Sequence, residues 1–312
     1  MSRGEQSPLA ADALAGLWAQ PPTLPTKWLY DDRGSSLYDE ITSLPEYYPA
    51  RRETEILRAH AAEIVGATGA TVLMELGSGT SAKTRLLLDA LAPGSAYVPV
   101  DVSAETLGSA AEVISADYPA LRVAPVVADF TGELPASPVA GRRLVVFLGG
   151  TVGNFADEER AAFLSRLAAD LAPGEWFLLG TDLIKEPGRL TAAYNDKAGV
   201  TADFNRNLIE VLRSQLDADG LYPDDFDHDA RWNPAGRRIE MWLTARRDVD
   251  AYFPTLDRRW RLPRGTGLLT EISVKFTPET VAAELTAAGL APSASWTDPH
   301  GDFQLTLAHR QE

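Results

Sequence analysis

Thr71-Val-Leu-Met-Glu-Leu-Gly-Ser-Gly-Thr-Ser-Ala-Lys-Thr84 is the stretch that decides the fold. Val72, Leu73 and Met74 form the short apolar run of a buried parallel strand, which closes on Glu75 and breaks at Gly77-Ser-Gly79. Beyond the break, Thr80 or Ser81 is placed to cap a helix carrying Leu86, Leu87 and Leu88. A strand, a glycine turn and a helix start together let backbone approach a ligand closely. The acidic Glu75 disfavours a phosphate at this turn and suits a nucleoside with a hydroxylated or cationic tail. S-adenosylmethionine (SAM) is the first cofactor that such chemistry selects. The plain alternative is an ordinary strand-to-helix turn of an α/β domain.

Working outward, residues 51–66 read as an amphipathic helix with Ile56, Leu57, Ala61 and Ile64 on one face. Tyr97–Val100 forms a second strand ending on Asp101, a carboxylate placed to accept both hydroxyls of a ribose beside the glycine turn. Ser103 starts the next helix. Val123–Val127 reads as a third strand followed by Asp129-Phe130, an acid and a ring suited to an adenine amino group and its face. Arg143–Leu148 is a clear strand ending in Gly149-Gly-Thr-Val-Gly-Asn154, and Trp176–Leu183 is a fifth. A helix spans 157–171 between them. Strands that alternate with helices and end in polar or glycine-rich segments predict an α/β sheet with its ligand on that edge.

The pattern changes after residue 184. A helical region over 189–216 carries Tyr194, and antiparallel strands follow over 237–246 and 258–262. In the extended segment Leu268–Phe276, Glu271 and Ser273 fall on one face. A buried carboxylate there needs a partner, and a ligand is one candidate. Asp224–Asp229 reads as a solvated acidic loop. The end returns to the first pattern, with a helix over 278–288 and strands over 292–296 and 304–308. The N-terminal region carries Trp28, Tyr30, Tyr38, Tyr47 and Tyr48 in two short blocks, either stapling the arm to a core or lining a site.

Composition excludes several classes. The chain has 29 Lys and Arg against 44 Asp and Glu, a net charge of −15 that repels nucleic acid and anionic membrane. With no cysteine, disulfides, thiolate metal sites and cysteine nucleophiles are ruled out. The four histidines are dispersed, and no metal is expected. Residues 1–6 lack the pattern of a secretory signal, and no apolar run reaches membrane-spanning length, so a cytoplasmic enzyme with a small-molecule substrate is the expectation.

Several blocks occur together and in order: Lys27-Trp-Leu-Tyr-Asp31, Leu44-Pro-Glu-Tyr-Tyr-Pro49, Glu75-Leu-Gly-Ser-Gly-Thr-Ser81 and Phe147-Leu-Gly-Gly-Thr-Val-Gly-Asn-Phe155. Phe204-Asn-Arg-Asn207, Glu240-Met-Trp-Leu243 and Glu271-Ile-Ser-Val-Lys-Phe276 complete the series. Over about residues 10–310 this resembles the histidine-specific Nα-methyltransferases of the ergothioneine pathway, which convert L-histidine to its trimethylbetaine, hercynine. The resemblance implies a Rossmann-like class I SAM methyltransferase domain (52–183 and 276–312) and an α+β substrate-binding domain (1–51 and 184–275), acting as a monomer. It implies SAM contacts from Gly77, Lys83, Asp101, Asp129 and Phe130, with Gly149 and Thr151 at the methyl-transfer point. It also implies that Asn154 and Tyr194 bind the histidine carboxylate, and that Tyr47, Glu271 and Ser273 bind the imidazole with Met241 against the ring. Tyr30 and Tyr38 would surround the amine, Tyr30 orienting it for transfer. Two positions depart from the family pattern: Tyr38, where Phe is common, and Gly150, where a small hydroxyl residue is expected.

Rival readings stay in view. A relative acting on another aromatic amino acid such as tryptophan would leave Glu271 facing an apolar indole. An NAD-dependent oxidoreductase lacks support because the turn has no third glycine of the dinucleotide fingerprint. A non-catalytic SAM sensor would have no use for the substrate residues.

Overall fold

The computed structural model describes residues 7–311, so the segment read for a secretion signal lies outside the described residues. The chain forms two compact units. One runs to Tyr47 and resumes over Glu186–Ser273; the other takes Tyr48–Lys185 and resumes at Val274. The first unit opens with α1 (Pro8–Gly16) and α2 (Asp32–Thr42). The second begins with α3 (Pro49–Thr68), β1 (Val72–Leu76), α4 (Arg85–Leu88), β2 (Ala96–Asp101) and α5 (Ala104–Asp117). It continues with β3 (Arg122–Val123), β4 (Val126–Val127), β5 (Arg143–Phe147), α6 (Asp157–Asp170) and β6 (Trp176–Asp182). The chain then returns to the first unit with α7 (Pro187–Ala193), α8 (Val200–Gln215), β7 (Phe226–Asn233) and β8 (Arg238–Ala245). There, β9 (Val249–Phe253), β10 (Arg258–Leu262) and β11 (Gly267–Val274) follow. Finally α9 (Pro278–Ala287), β12 (Leu290–Thr297) and β13 (Phe303–Arg310) complete the second.

The second unit is the doubly wound sheet that the strand-turn-helix pattern predicts. Its strand order is β12-β13-β6-β5-β1-β2-β3, with β4 also paired to β2. β1 runs parallel to β2 and β5, and β5 parallel to β6. β13 is the antiparallel intruder, paired with β6 on one side and β12 on the other. All five residues of β1 are buried, because a central parallel strand is covered on both faces. Met74, Val98, Val145 and Phe177 belong to one apolar layer, and Leu73, Tyr97, Leu144 and Leu178 to the opposite one with Ile56 and Ile64 of α3. Each such buried side chain contributes about 1.5–3 kcal/mol.

The polar feature of this unit lies at the end of β6. The Asp182 carboxylate, 3% exposed, accepts from Tyr48 Oη at 2.9 Å and Lys185 Nζ at 2.6 Å, and pairs with the fully buried Lys275 ammonium at 2.8 Å. Two cations and a phenol thus share one acid.

The first unit holds a three-stranded sheet, β11-β8-β7, and a two-stranded one, β10-β9. Its longest helix, α8, buries Phe204, Asn205, Asn207, Leu208, Val211 and Leu212. Asp31 caps α2 by accepting the Gly34 N–H at 2.7 Å, and its Oδ1 also accepts from Asn207 Nδ2 at 2.7 Å.

Four expectations need correction. Thr80 and Ser81 do not cap the helix after the glycine turn: α4 has only four residues, and Thr84 occupies the cap position without a side-chain cap bond. The reason is competition, since Thr84 Oγ1 donates at 2.6 Å to the buried Glu75 carboxylate and Ser81 Oγ meets Tyr97 Oη at 2.8 Å. The third strand is split into β3 and β4 around Ala124-Pro125, where proline removes a ladder donor. The helical region over 189–216 is two helices, α7 and α8, separated at Gly199, which has φ +83°. Asp224–Asp229 is not a loop; it enters β7 at Phe226, and Asp225, Asp227 and Asp229 pair with Arg247, Arg246 and Arg231. Among the described residues, no helix is long and apolar enough to cross a membrane, and no group of three or more acidic or histidine side chains is placed to hold a metal ion.

Candidate active site

In the second unit the expected cofactor residues gather where β1, β2 and β5 end, the point at which strand order reverses from β1. Gly77, at φ +67°, donates its N–H to the Val100 carbonyl at 2.8 Å. A Cβ there would make only ordinary contact with the Phe130 ring, at 3.4 Å, so the left-handed backbone rather than the space is what calls for glycine. Asp101 accepts the Gly79 N–H at 2.9 Å and the Ser103 N–H at 3.1 Å, which ties the turn to the end of β2. Asp129 is exposed and closes its own turn onto the Thr131 N–H at 2.9 Å.

The β5 edge is organised by a residue that sequence reasoning missed. Glu53 of α3 is fully buried, accepts from Lys83 Nζ at 2.5 Å, and takes the Gly149 N–H at 2.8 Å. One carboxylate therefore holds a lysine from the β1 turn and a backbone amide from the β5 turn. Gly149 and Gly150 both have positive φ, 80° and 69°. Glycine at 150, in place of a hydroxyl residue, meets that backbone without strain. A Cβ on Gly149 would stand 3.2 Å from Lys83 Nζ and 3.3 Å from Thr151 Oγ1. Thr151 Oγ1 itself donates to the Leu148 carbonyl at 3.0 Å. The signal for Glu53 was available: an acid on the apolar stripe of α3, in line with Leu57 and Ile64.

Glu75 reads differently from expectation. It is 2% exposed and accepts from Thr84 and Tyr97, so it braces the turn from inside rather than facing a ligand. Burial pushes its pKa up to about 7, against the pull of the Thr84 and Tyr97 hydrogen bonds.

The first unit holds most of the expected substrate residues. Tyr30 meets Tyr38 edge-on at a centroid distance of 5.4 Å and Phe204 at 5.3 Å. The Tyr38 and Tyr47 hydroxyls lie 3.3 Å apart, and the Tyr47 ring meets that of Tyr194 at 6.1 Å. Tyr194 Oη and Ser273 Oγ are 2.8 Å apart. Four tyrosines and a serine thus form one continuous run. Burial, reinforced by the neighbouring phenols of Tyr38 and Tyr194, raises the Tyr47 pKa well above the ordinary tyrosine value, which keeps it a neutral donor. Glu271 and Ser273 are both buried, as is Met241 on β8, whose carbonyl accepts from Thr270 Oγ1 at 3.0 Å. Asn154, the remaining expected substrate contact, belongs to the second unit, where it closes the 3-10 turn Thr151–Asn154.

The sequence profile of the histidine-specific, SAM-dependent methyltransferases matches residues 9–310. The chain belongs to this family. A histidine Nα-methyltransferase of Mycolicibacterium smegmatis is 52% identical over 97% of this chain and 95% of its own length. The corresponding protein of Mycobacterium tuberculosis is 49% identical over 96% and 94%. The CcbJ methyltransferase of Streptomyces caelestis superposes with a TM-score of 0.50 at 14% identity, covering 89% of this chain and 96% of that one, a likeness of fold alone. The fold is therefore that of the class I SAM methyltransferases, and the methyl donor of this histidine-specific methyltransferase is SAM. The glycine turn fits that group. Phe130 lies against Gly77, Asp101 stands at the end of β2, and Ser78 Oγ, buried at the turn, has no hydrogen-bond partner among the described residues.

Proposed function

We propose that this protein transfers three methyl groups in succession to the α-nitrogen of L-histidine, forming hercynine in the first step of ergothioneine biosynthesis. The observation that carries the reading is the buried pair Glu271 and Ser273, joined through a 2.8 Å hydroxyl contact to Tyr194 and the tyrosine run, in a chain of the histidine-specific family. The imidazole presents one N–H and one bare ring nitrogen, and needs an acceptor and a donor at fixed places. Glu271 accepts the N–H; Ser273 and the neutral Tyr47 supply hydroxyls to the other side, and Met241 packs on the ring. Paired polar recognition of this kind rejects analogues lacking the group by roughly 10⁴-fold.

Tyr194 and Asn154 take the carboxylate. With both ends of histidine anchored, the α-amine has one position, and neither anchor changes charge as methyls accumulate. Tyr30 orients the unprotonated amine, and with Tyr38 offers rings to the nitrogen as it becomes quaternary, worth about 1–2 kcal/mol of cation–π attraction. Bound SAM supplies an electrophilic methyl on a sulfonium. Asp101 would accept its ribose hydroxyls, Asp129 and Phe130 its adenine, and Gly77 and Lys83 its amino-acid end, while Gly149 and Thr151 line the transfer point. Transfer needs the amine in line at about 3 Å, so positioning carries most of the acceleration. The assignment makes the unit of Tyr48–Lys185 and Val274 onward the cofactor domain, and the unit that runs to Tyr47 and resumes over Glu186–Ser273 the substrate domain, of a cytoplasmic monomer. These bounds lie a few residues from the 52–183 with 276–312 and 1–51 with 184–275 that the resemblance implies.

Mass spectrometry after incubation with SAM and each of the twenty amino acids tests the proposal. Histidine gaining three methyls is the expected result. Methylation of tryptophan without methylation of histidine would overturn it.

A further inference from the structure

His228 stands in the acidic stretch that reads from sequence as a solvated loop, yet its ring is half-buried on β7 with both nitrogens engaged. Its Nε2 lies 2.8 Å from the Tyr194 carbonyl and its Nδ1 2.9 Å from Asn205 Nδ2. Asn205 is fully buried on α8, and the same amide nitrogen donates to the Trp242 carbonyl at 3.2 Å. A carbonyl only accepts and an amide nitrogen only donates, so Nε2 must carry the proton and Nδ1 must accept. One neutral tautomer satisfies both neighbours. Burial lowers the His228 pKa in the same sense.

What this ring holds is the end of a helix. Tyr194 is the residue at which α7 stops, with its N–H on the Thr191 carbonyl at 3.1 Å. Beyond α7 the chain leaves helical geometry, and the Tyr194 carbonyl bonds to the His228 ring. Fixing that peptide fixes the Cα–Cβ direction of Tyr194, whose hydroxyl then falls 2.8 Å from Ser273 Oγ and whose ring edge meets Tyr47. Asn205 belongs to the Phe204–Asn207 block, and its neighbours serve the same run of rings. Phe204 packs on Tyr30 and Tyr38, and Asn207 holds the Asp31 cap beside Tyr30.

We propose that His228, braced by Asn205, is a positioning residue for histidine binding: it holds the Tyr194 peptide and so sets where the Tyr194 hydroxyl stands against Ser273. The inference rests on the reading of Tyr194 as a substrate contact, and the experiment separates the two. Steady-state kinetics at saturating SAM, with SAM affinity measured by calorimetry, are compared for His228→Phe, His228→Gln, Asn205→Ala and Tyr194→Phe. His228→Phe keeps a ring and removes the donor; it should raise the histidine KM about tenfold, with kcat within about twofold and SAM affinity unchanged. His228→Gln restores an N–H donor and should recover most of the loss, whereas Asn205→Ala should reproduce it. Should His228→Phe fail to fold, Asn205→Ala and His228→Gln decide by the same split. Unchanged histidine KM in the His228 and Asn205 variants, with Tyr194→Phe raising it, overturns the inference and leaves the Tyr194 reading standing. An unchanged KM in Tyr194→Phe overturns both. Equal loss of SAM and histidine binding, or no rescue by glutamine, shows a merely structural role and overturns the positioning claim.

Discussion

Glu75→Gln should remove a pH dependence of stability that the wild-type chain carries inside its cofactor turn. Glu75 is 2% exposed, and its pKa is pushed up to about 7 from an ordinary 4.5. The folded state therefore binds a proton that the unfolded chain releases between those values, and stability must fall as pH rises. The contribution is fully present below about 4.5 and is lost as pH climbs through about 7. A shift of this size, taken between pH 5 and pH 8, amounts to about 2.5 kcal/mol at 1.36 kcal/mol per unit. Glutamine has nearly the same shape and cannot ionise. It has one carbonyl for the Thr84 and Tyr97 hydroxyls, so the variant should be the less stable at pH 5, where wild-type Glu75 is mostly protonated. Its deficit relative to wild type should shrink by about 2.5 kcal/mol by pH 8. Urea unfolding of both proteins at pH 5, 6, 7 and 8 measures this directly, through midpoints at constant m. A stability difference that stays constant across the series would refute the reasoning, because Glu75 would then ionise alike in the folded and unfolded chains.

Other outcomes follow from the site itself. Glu271→Ala should raise the histidine KM by at least tenfold, the loss of about 1.5–3 kcal/mol from a charged hydrogen bond, while calorimetry finds SAM affinity nearly intact; an unchanged KM removes Glu271 from the imidazole site. Glu53→Gln loosens both Lys83 and the Gly149 amide and should weaken SAM binding by roughly tenfold or more, without a matching change in the histidine KM at saturating SAM. Asp182→Asn takes the shared carboxylate away from the buried Lys275 and Lys185 ammoniums; thermal or urea unfolding should show about 3–5 kcal/mol of lost stability.

The sheet was legible because its signals are local. A run such as Val72-Leu-Met has no choice but burial on both faces, and the glycines at 77 and 79 announce the turn by composition alone. Two of the errors were local breaks, at Pro125 and Gly199, and the other two came where a side chain took a partner outside its own segment. Thr84 gave its hydroxyl to Glu75 rather than to a helix end, and the aspartates of 225–229 look like a solvated loop until arginines from 231, 246 and 247 are brought beside them. The partial burial of His228 follows from the face of β7 that it shares with Phe226 and Ala230 packing against α8, a relation between segments more than twenty residues apart. The tyrosine run shows the opposite case. Tyr30, Tyr38 and Tyr47 stand out as an unusual density of rings in the N-terminal region, but only the fold links Tyr47 to Tyr194 and Tyr194 to Ser273.

The place of β13 has a consequence for synthesis. β13 runs between β6 and β12, so the sheet has a gap at that position until Phe303–Arg310 has left the ribosome. Until then β6 presents an open, apolar edge, the kind of surface on which strands of other chains can pair. Meanwhile Glu186–Ser273 has emerged in full, and with the N-terminal arm it has every strand and helix of its own unit available. The unit that carries the tyrosine run can therefore complete its folding first, while the sheet that carries the glycine turn waits for the last strand to be made.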